Sequence, residues 1–219
     1  MKPRALDLFC GAGGSARGLQ LAGFHVTGVD IKPQPRYCGD AFVQGDALNP
    51  PFDLSEFDFI WASPPCQAYT GMQNINTRAP LRKHPRLIGK TRRMLEASGR
   101  SFVIENVPGA PLRDPTILCG SMFGLRVRRH RLFETNFWMM RPQCQHEPGV
   151  SPIAVYGDHP QTPGDKTMRV NRARTLVEGQ EAMGIHWMDW RPLTQAIPPA
   201  YSEYIGRAAL RYIQAEAAA

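Results

Sequence analysis

The sequence has no apolar run near the ~18–20 residues that a membrane span needs, and it enters Arg4-Ala5-Leu6-Asp7-Leu8-Phe9 without the pattern of a signal peptide. A soluble cytoplasmic protein with no membrane partner is expected. Cysteine is sparse and odd in number: five, at positions 10, 38, 66, 119 and 144, which excludes a closed disulfide framework as the source of stability and makes reduced thiols the default. No CxxC pair occurs. Cys144-Gln145-His146, with Cys119, His130 or His159, has zinc-binding residue types, but without that pairing the expectation is no metal. Acidic residues are missing across Arg78, Arg82, Lys83, Arg86, Lys90, Arg92 and Arg93, and a second basic cluster is Arg126, Arg128, Arg129 and Arg131. With 26 basic against 19 acidic residues the net charge is +7, and its concentration in two places makes polyanion binding as good a reading as a solvated basic face. What is present, 42% hydrophobic residues over 219 positions, is enough for one α/β domain and little more.

Along the chain, Arg4 to Phe9 reads as a buried strand, followed by the glycine turn Cys10-Gly11-Ala12-Gly13-Gly14 and a helix reaching Gly23. Phe24–Asp30, Phe57–Ala62, Ser101–Val107 and Arg131–Phe137 read as further strands, several ending in polar or reactive residues. Such alternation of strands and helices predicts a doubly wound sheet with ligands beyond the strand ends. Residues 138–172, with Pro142, Pro148, Pro152, Pro160 and Pro163, predict an irregular insertion, and Tyr201, Tyr204, Ile205, Ala208, Tyr212 and Ile213 after Pro198-Pro199 predict a closing amphipathic helix. Trp138, Trp187 and Trp190 are expected to close a core rather than to stack on bases.

Glycines at 11, 13 and 14 allow a sharp turn and bring backbone N–H groups close to a ligand, while Asp30 is spaced to bind ribose hydroxyls. A tight turn alone would also use them. With Asp46 placed to meet an adenine amino group, the set suits S-adenosylmethionine better than a dinucleotide. Pro64-Pro65-Cys66-Gln67 puts a thiol on a rigid turn past a strand, and Glu105-Asn106-Val107 and Arg129-x-Arg131 stand near other strand ends.

Taken in order, Asp7-Leu-Phe-Cys-Gly-Ala-Gly-Gly14, Pro64-Pro-Cys-Gln67, Glu105-Asn-Val107 and Arg128-Arg-His-Arg131 resemble the motifs of the DNA (cytosine-5) methyltransferase family. The resemblance spans residues 5–133, with weaker closing motifs at Glu178–Met183 and Gln195–Gly206. It implies a Rossmann-like S-adenosylmethionine-dependent methyltransferase, a doubly wound mixed sheet with helices on both faces. It implies that Asp7, Phe9, Gly11, Gly13, Gly14, Asp30, Ile31, Asp46, Ala47, Pro64, Gln195 and Ala196 hold S-adenosyl-L-methionine. Catalysis would fall to Cys66, Glu105, Asn106, Arg129 and Arg131, with Cys66 adding to carbon 6 of a flipped cytosine, Glu105 serving N3, and Arg131 the carbonyl. Arg129 would orient the loop or the base. DNA is the implied partner, contacted by Gln67, Tyr69, Arg78, Arg82, Lys83 and Arg86 in the segment after the nucleophile.

The chain departs from the family in three places. A short insertion at 138–172 stands where restriction-type members carry a large target-recognition region, dividing a single catalytic domain, 1–219, into a core (1–137), this insertion and closing helices (173–219). Gln195 stands where the family usually has Asn, which raises a donor with a group larger than methyl as an alternative to ordinary transfer. Val127 stands where the family prefers Gln. Two other readings are an enzyme acting on RNA or a free nucleotide, and a catalytically silent nucleic-acid-binding regulator. The RNA branch's Cys-Phe-Thr segment is missing, which favours DNA, and the intact set of Cys66, Glu105, Asn106, Arg129 and Arg131 argues against silence. A short enzyme without a regulatory extension fits a bacterial or phage origin, marking DNA against restriction.

Overall fold

Five parallel strands carry the site to one edge of a mixed sheet. The computed structural model describes residues 2–69, 84–162 and 171–218. Strands β1 (Arg4–Leu8), β2 (His25–Asp30), β3 (Ala41–Gln44), β4 (Phe59–Ala62), β5 (Ser101–Asn106), β6 (Thr116–Leu118) and β7 (Arg131–Thr135) form one sheet in the order β3-β2-β1-β4-β5-β7-β6. Strands β1 to β5 run parallel; β7 pairs antiparallel with both β5 and β6. The sheet is thus the doubly wound mixed sheet expected, and β3 and β6 at its edges are additions to the sequence reading. Among the described residues no helix is long and apolar enough to cross a membrane.

Strand side chains alternate between faces, and the core divides accordingly. Ala5, Val26, Phe59, Trp61 and Val103 pack with helix α1 (Gly14–Ala22) and helix α5 (Pro199–Ala217), whereas Leu6, Leu8, Ile60, Ala62, Phe102 and Ile104 pack with Leu95 of α2 (Ile88–Ser98) on the other face. Helices therefore cover both faces. The closing helix lies mainly on α1, and glycines set how near the two come. A β-carbon on Gly18 would fall 2.1 Å from both Pro199 O and Ser202 Oγ, and one on Gly206 would fall 2.9 Å from Ala22 Cβ.

Helix α2 corrects the reading of the first basic run. Its buried residues are Ile88, Thr91, Arg92 and Leu95. Arg92 donates from Nε and Nη2 to the two Glu134 oxygens at 2.6 and 2.7 Å, so one cation of the run is a strut between α2 and β7. The insertion is irregular, as its prolines imply, yet not wholly outside the core. Ile153 and Val155 are buried against Ala182 and Met183 of α3 (Leu176–Met183) and Trp190 and Leu193 of α4 (Trp190–Gln195), and Ala154 bridges to Arg172.

Candidate active site

The sheet register decides which residues meet. Leu8 lies level with Val29 and Ala62, and Ala62 with Ile104, so the chain leaves β1, β2, β4 and β5 at one edge. Because β7 is antiparallel, its first residue, Arg131, arrives at that edge rather than the opposite one; two residues on, Phe133 is level with Glu105. A cleft of about 650 Å³ opens there. Of the residues expected in the site, Phe9, Gly11, Gly14, Asp30, Ile31, Asp46, Ala47, Pro64, Cys66, Gln67, Glu105, Arg131, Gln195 and Ala196 line it.

At one end the turn after β1 is backbone made ready for a ligand. Phe9 (φ 59°), Gly11 (φ 49°) and Gly13 (φ 85°) lie in the left-handed region, and a β-carbon at Gly11 would meet nothing within 4 Å, so this turn faces open space. The Asp30 carboxylate accepts the Gly11 and Lys32 N–H groups at 3.0 and 2.9 Å, which fixes it at the rim. Asp46 is held likewise by Leu48 N–H at 2.9 Å and Asn49 Nδ2 at 3.2 Å. Two fixed carboxylates beside an open glycine turn and the apolar walls of Phe9, Ile31 and Ile197 fit a nucleoside with hydroxyl and amino donors. From about 175 residues further along the chain, Trp187 donates from Nε1 to Ala12 O at 2.9 Å, and a β-carbon at Gly14 would fall 2.4 Å from Ile197 O, so the closing segment braces the turn.

At the other end stand the reactive groups. Cys66 is half-buried, and burial pushes its thiol up, with Glu105 adding to the effect and Arg131 and Arg129 opposing it. Glu105 is buried, its carboxyl raised by burial and pulled back by Arg131, whose Nε lies 3.2 Å from Glu105 Oε1, and by a hydrogen bond from Ser63. Ser63 was not singled out from sequence; its place directly before Pro64-Pro65-Cys66 is the signal that would have found it.

Four expected site residues stand behind the wall instead. Asp7 is wholly buried, accepts the Ser15 hydroxyl at 2.8 Å, and leaves Oδ1 unpartnered. It caps the start of α1 through Ser15 and Ala16 N–H and is a support of the glycine turn. Gly13 is the cap residue of α1 and sits against Tyr37 and Cys38. Asn106 donates to Pro64 O at 2.9 Å and accepts Val107 N–H at 3.0 Å, holding the turn that presents Cys66. Arg129 donates to the carbonyls of Ala196, Val155 and Thr194 at 3.0, 3.2 and 2.6 Å. Burial and the adjacent Arg131 disfavour its charge, and those carbonyls compensate; it orients loops and is not on the cleft wall. Asn106 and Arg129, both expected in the catalytic set, thus reach backbone groups behind the cleft rather than the cleft itself, Arg129 holding loops as the resemblance implies.

Of the expected nucleic-acid contacts, Tyr69 continues the turn by donating its N–H to Cys66 O at 2.9 Å, and Arg86 is exposed. Arg78, Arg82 and Lys83 lie outside the described residues. Trp187 and Trp190 are structural, Trp190 donating to Gly157 O at 3.0 Å, whereas Trp138 is exposed. The sequence reading of Cys119, His130, Cys144 and His146 expects no metal. Cys119, His130, Cys144 and His146 converge, all four donor atoms within 4.8 Å of one another.

Comparison with known proteins adds a family. The profile of C-5 cytosine-specific DNA methylases matches residues 4–116, slightly more than half of the chain. No curated protein matches the sequence. Among solved structures, a mutant of DNMT2 from Spodoptera frugiperda aligns at 17% identity and a TM-score of 0.40, over 66% of this chain and 54% of that one. A Burkholderia thailandensis 1,6-didemethyltoxoflavin-N1-methyltransferase, with bound 1,6-didemethyltoxoflavin and S-adenosylhomocysteine, aligns at 16% identity and a TM-score of 0.35, over 61% and 54%. The chain thus spans about half the length of each.

Proposed function

Since the chain belongs to the C-5 cytosine-specific DNA methylase family, we propose that it is a DNA cytosine-5 methyltransferase acting on a flipped base through a covalent Cys66 adduct. S-adenosylmethionine is the cofactor, and when bound it supplies an electrophilic methyl group. The observation that carries the reading is the shared cleft: Asp30 and Asp46 at one end, Cys66, Glu105 and Arg131 at the other.

Carbon 5 of cytosine is a poor nucleophile until a thiolate adds to carbon 6 and leaves an enamine. Cys66 makes that bond. The addition moves electron density toward N3 and O2, where Glu105 donates a proton to N3 and Arg131 faces the carbonyl oxygen. Burial favours the protonated Glu105 that this donation requires, and Arg131 keeps it from being an inert acid. Arg131 also favours the Cys66 thiolate. After transfer, solvent entering the cleft takes the carbon 5 proton, the carbon 6–sulfur bond breaks to expel the Cys66 thiolate, and N3 returns its proton to Glu105 as the product is released. Asn106, through Pro64 O, and Arg129, through Ala196 O and Thr194 O, hold the two loops whose separation sets the distance between base and donor.

The test is complete digestion of DNA and of RNA from cells expressing the protein, followed by mass analysis of every modified cytosine. 5-Methylcytosine in DNA, lost in Cys66→Ser, is the expected result. A signal confined to RNA refutes the DNA assignment. A heavier cytosine adduct refutes methyl as the transferred group and points to Gln195, which lines the cleft. Turnover retained in Cys66→Ser removes the covalent route.

A further inference from the structure

Outside the cleft, the four converging side chains come from three separate parts of the chain. Cys119 follows β6 directly, at the start of a short 3-10 turn over Gly120–Phe123, and is buried. His130 sits between Arg129 and Arg131, immediately before β7. Cys144 and His146, one residue apart, belong to the exposed irregular insertion after β7.

From this convergence we propose that Cys119, His130, Cys144 and His146 bind a structural zinc ion that fastens the insertion to the arginine loop of the active site.

The donor set is two thiols and two imidazoles with no carboxylate, a combination that selects zinc over the oxygen-seeking magnesium and calcium. Four protein donors close the coordination sphere, as structural sites do, and leave no position for a reacting water. Tetrahedral zinc with bonds of about 2.3 Å to sulfur and about 2.0–2.1 Å to nitrogen places neighbouring donors roughly 3.3–3.8 Å apart. Cys119 Sγ lies 3.2 Å from His146 Nε2, and His130 Nε2 lies 3.3 Å from Cys144 Sγ, two opposite edges of such a tetrahedron. The His130 and His146 rings meet edge to face, centroids 5.4 Å apart, with both Nε2 atoms turned to the sulfurs.

The surroundings belong to a ligand set. The Ser121 hydroxyl lies 3.3 Å from Cys119 Sγ as donor, and the same oxygen accepts Gln145 N–H at 3.2 Å. One serine thus ties the β6 ligand to the backbone between the two ligands of the insertion, an outer-shell bond of the kind that orients metal ligands. Both thiols are free cysteines. On loading, Zn²⁺ replaces one proton on each thiol, including the one that Cys119 shares with Arg128 O at 2.9 Å, and the site becomes neutral overall.

The exposed stretch Gln143–Val150 has no helix or strand and no buried apolar side chain of its own. A metal bond at Cys144 and His146 supplies the anchor that packing does not. Because His130 is flanked by both Arg129 and Arg131, the same ion pins the loop that presents Arg131 to the cleft.

The experiment is zinc quantification on tag-free protein, followed by cobalt substitution. Expected are about one zinc per chain and, with Co²⁺, the intense visible bands and thiolate charge transfer of a tetrahedral site. Cys144→Ser and His146→Ala, both at exposed positions where truncation leaves no gap in the core, are expected to weaken zinc binding by more than about a hundredfold. Cys66→Ser is expected to keep its zinc in full. The proposal is overturned by protein that stays zinc-free after exposure to zinc and gives only the pale octahedral cobalt spectrum. It is equally overturned by zinc content unchanged in Cys144→Ser and His146→Ala, by zinc lost in Cys66→Ser, or by a Cys119–Cys144 disulfide in protein purified under reducing conditions.

Discussion

Replacing Arg92 with methionine removes half of a buried ion pair and leaves the other half in place. Only 10% of the Arg92 side chain and 7% of the Glu134 side chain are exposed, so water cannot replace what is lost. In the variant Glu134 forfeits its contacts at 2.6 and 2.7 Å and keeps the Arg113 N–H at 2.7 Å, while Pro111 O loses the Arg92 donor at 3.0 Å. Truncating one partner of a desolvated pair costs roughly 3–5 kcal/mol, and the surviving Arg113 bond argues for the lower end, about 3 kcal/mol. Against a total stability of order 5–15 kcal/mol this is a large share, and with a urea m-value of about 1–3 kcal/mol/M it moves the midpoint down by about 1–3 M. The double variant Arg92→Met, Glu134→Leu removes both desolvated charges and is expected to recover most of the loss. Urea unfolding followed by circular dichroism at neutral pH measures all three chains. A loss under about 1 kcal/mol in the single variant, or a double variant less stable than the single, refutes the assignment of Arg92 as a strut.

Burial raises the Asp7 carboxyl from 3.8 to about 7, against the hydrogen bond from Ser15. Between those values the folded chain holds a proton that the unfolded chain has released, so stability from this group is complete below about pH 4 and declines as pH rises to 7, by about 4 kcal/mol at about 1.4 kcal/mol per unit. Asp7→Asn is expected to flatten that slope in urea unfolding at pH 5 and 8; an unchanged slope counts against it. Glu105→Gln removes the charge that, with burial, lifts the Cys66 thiol, so the pH profile of Cys66 alkylation by iodoacetamide is expected to move to lower pH, whereas Arg131→Met moves it higher. Shifts in the opposite sense would mean that neither charge acts on the thiol. Gly18→Ala forces a β-carbon against Pro199 O and Ser202 Oγ, both at 2.1 Å, and is expected to cost about 1–3 kcal/mol and to weaken S-adenosylmethionine binding by shifting the turn before α1, as calorimetry would report.

Residues whose chemistry is local were readable before any fold was known. The Gly11–Gly14 turn, Asp30, Cys66 and Glu105 each follow a strand or end one, and short motifs carry both the strand and the reactive group. The strut role of Arg92 is not legible in sequence, because a run of cations reads as a polyanion-binding or solvated face until a partner 42 residues away is in view. Strands β3 and β6 escaped for a different reason: four and three residues at sheet edges are too short to show alternation. Asp7 reads as a cofactor contact and Asn106 as a catalytic one because sequence gives proximity along the chain and not which side of a loop a side chain takes. Cys119, His130, Cys144 and His146 have no regular spacing, and only the antiparallel pairing of β6 with β7 brings the first two together.

The contact between α1 and α5 sets an order in time. Gly14 and Gly18 near the start of the chain are fitted against Ile197, Pro199 and Ser202 near its end. A ribosome that has released the glycine turn and both carboxylates has made the ingredients of the cofactor pocket without the wall that braces them. That wall closes only once α5 has been made, so the nascent chain holds the glycine turn without its brace until then.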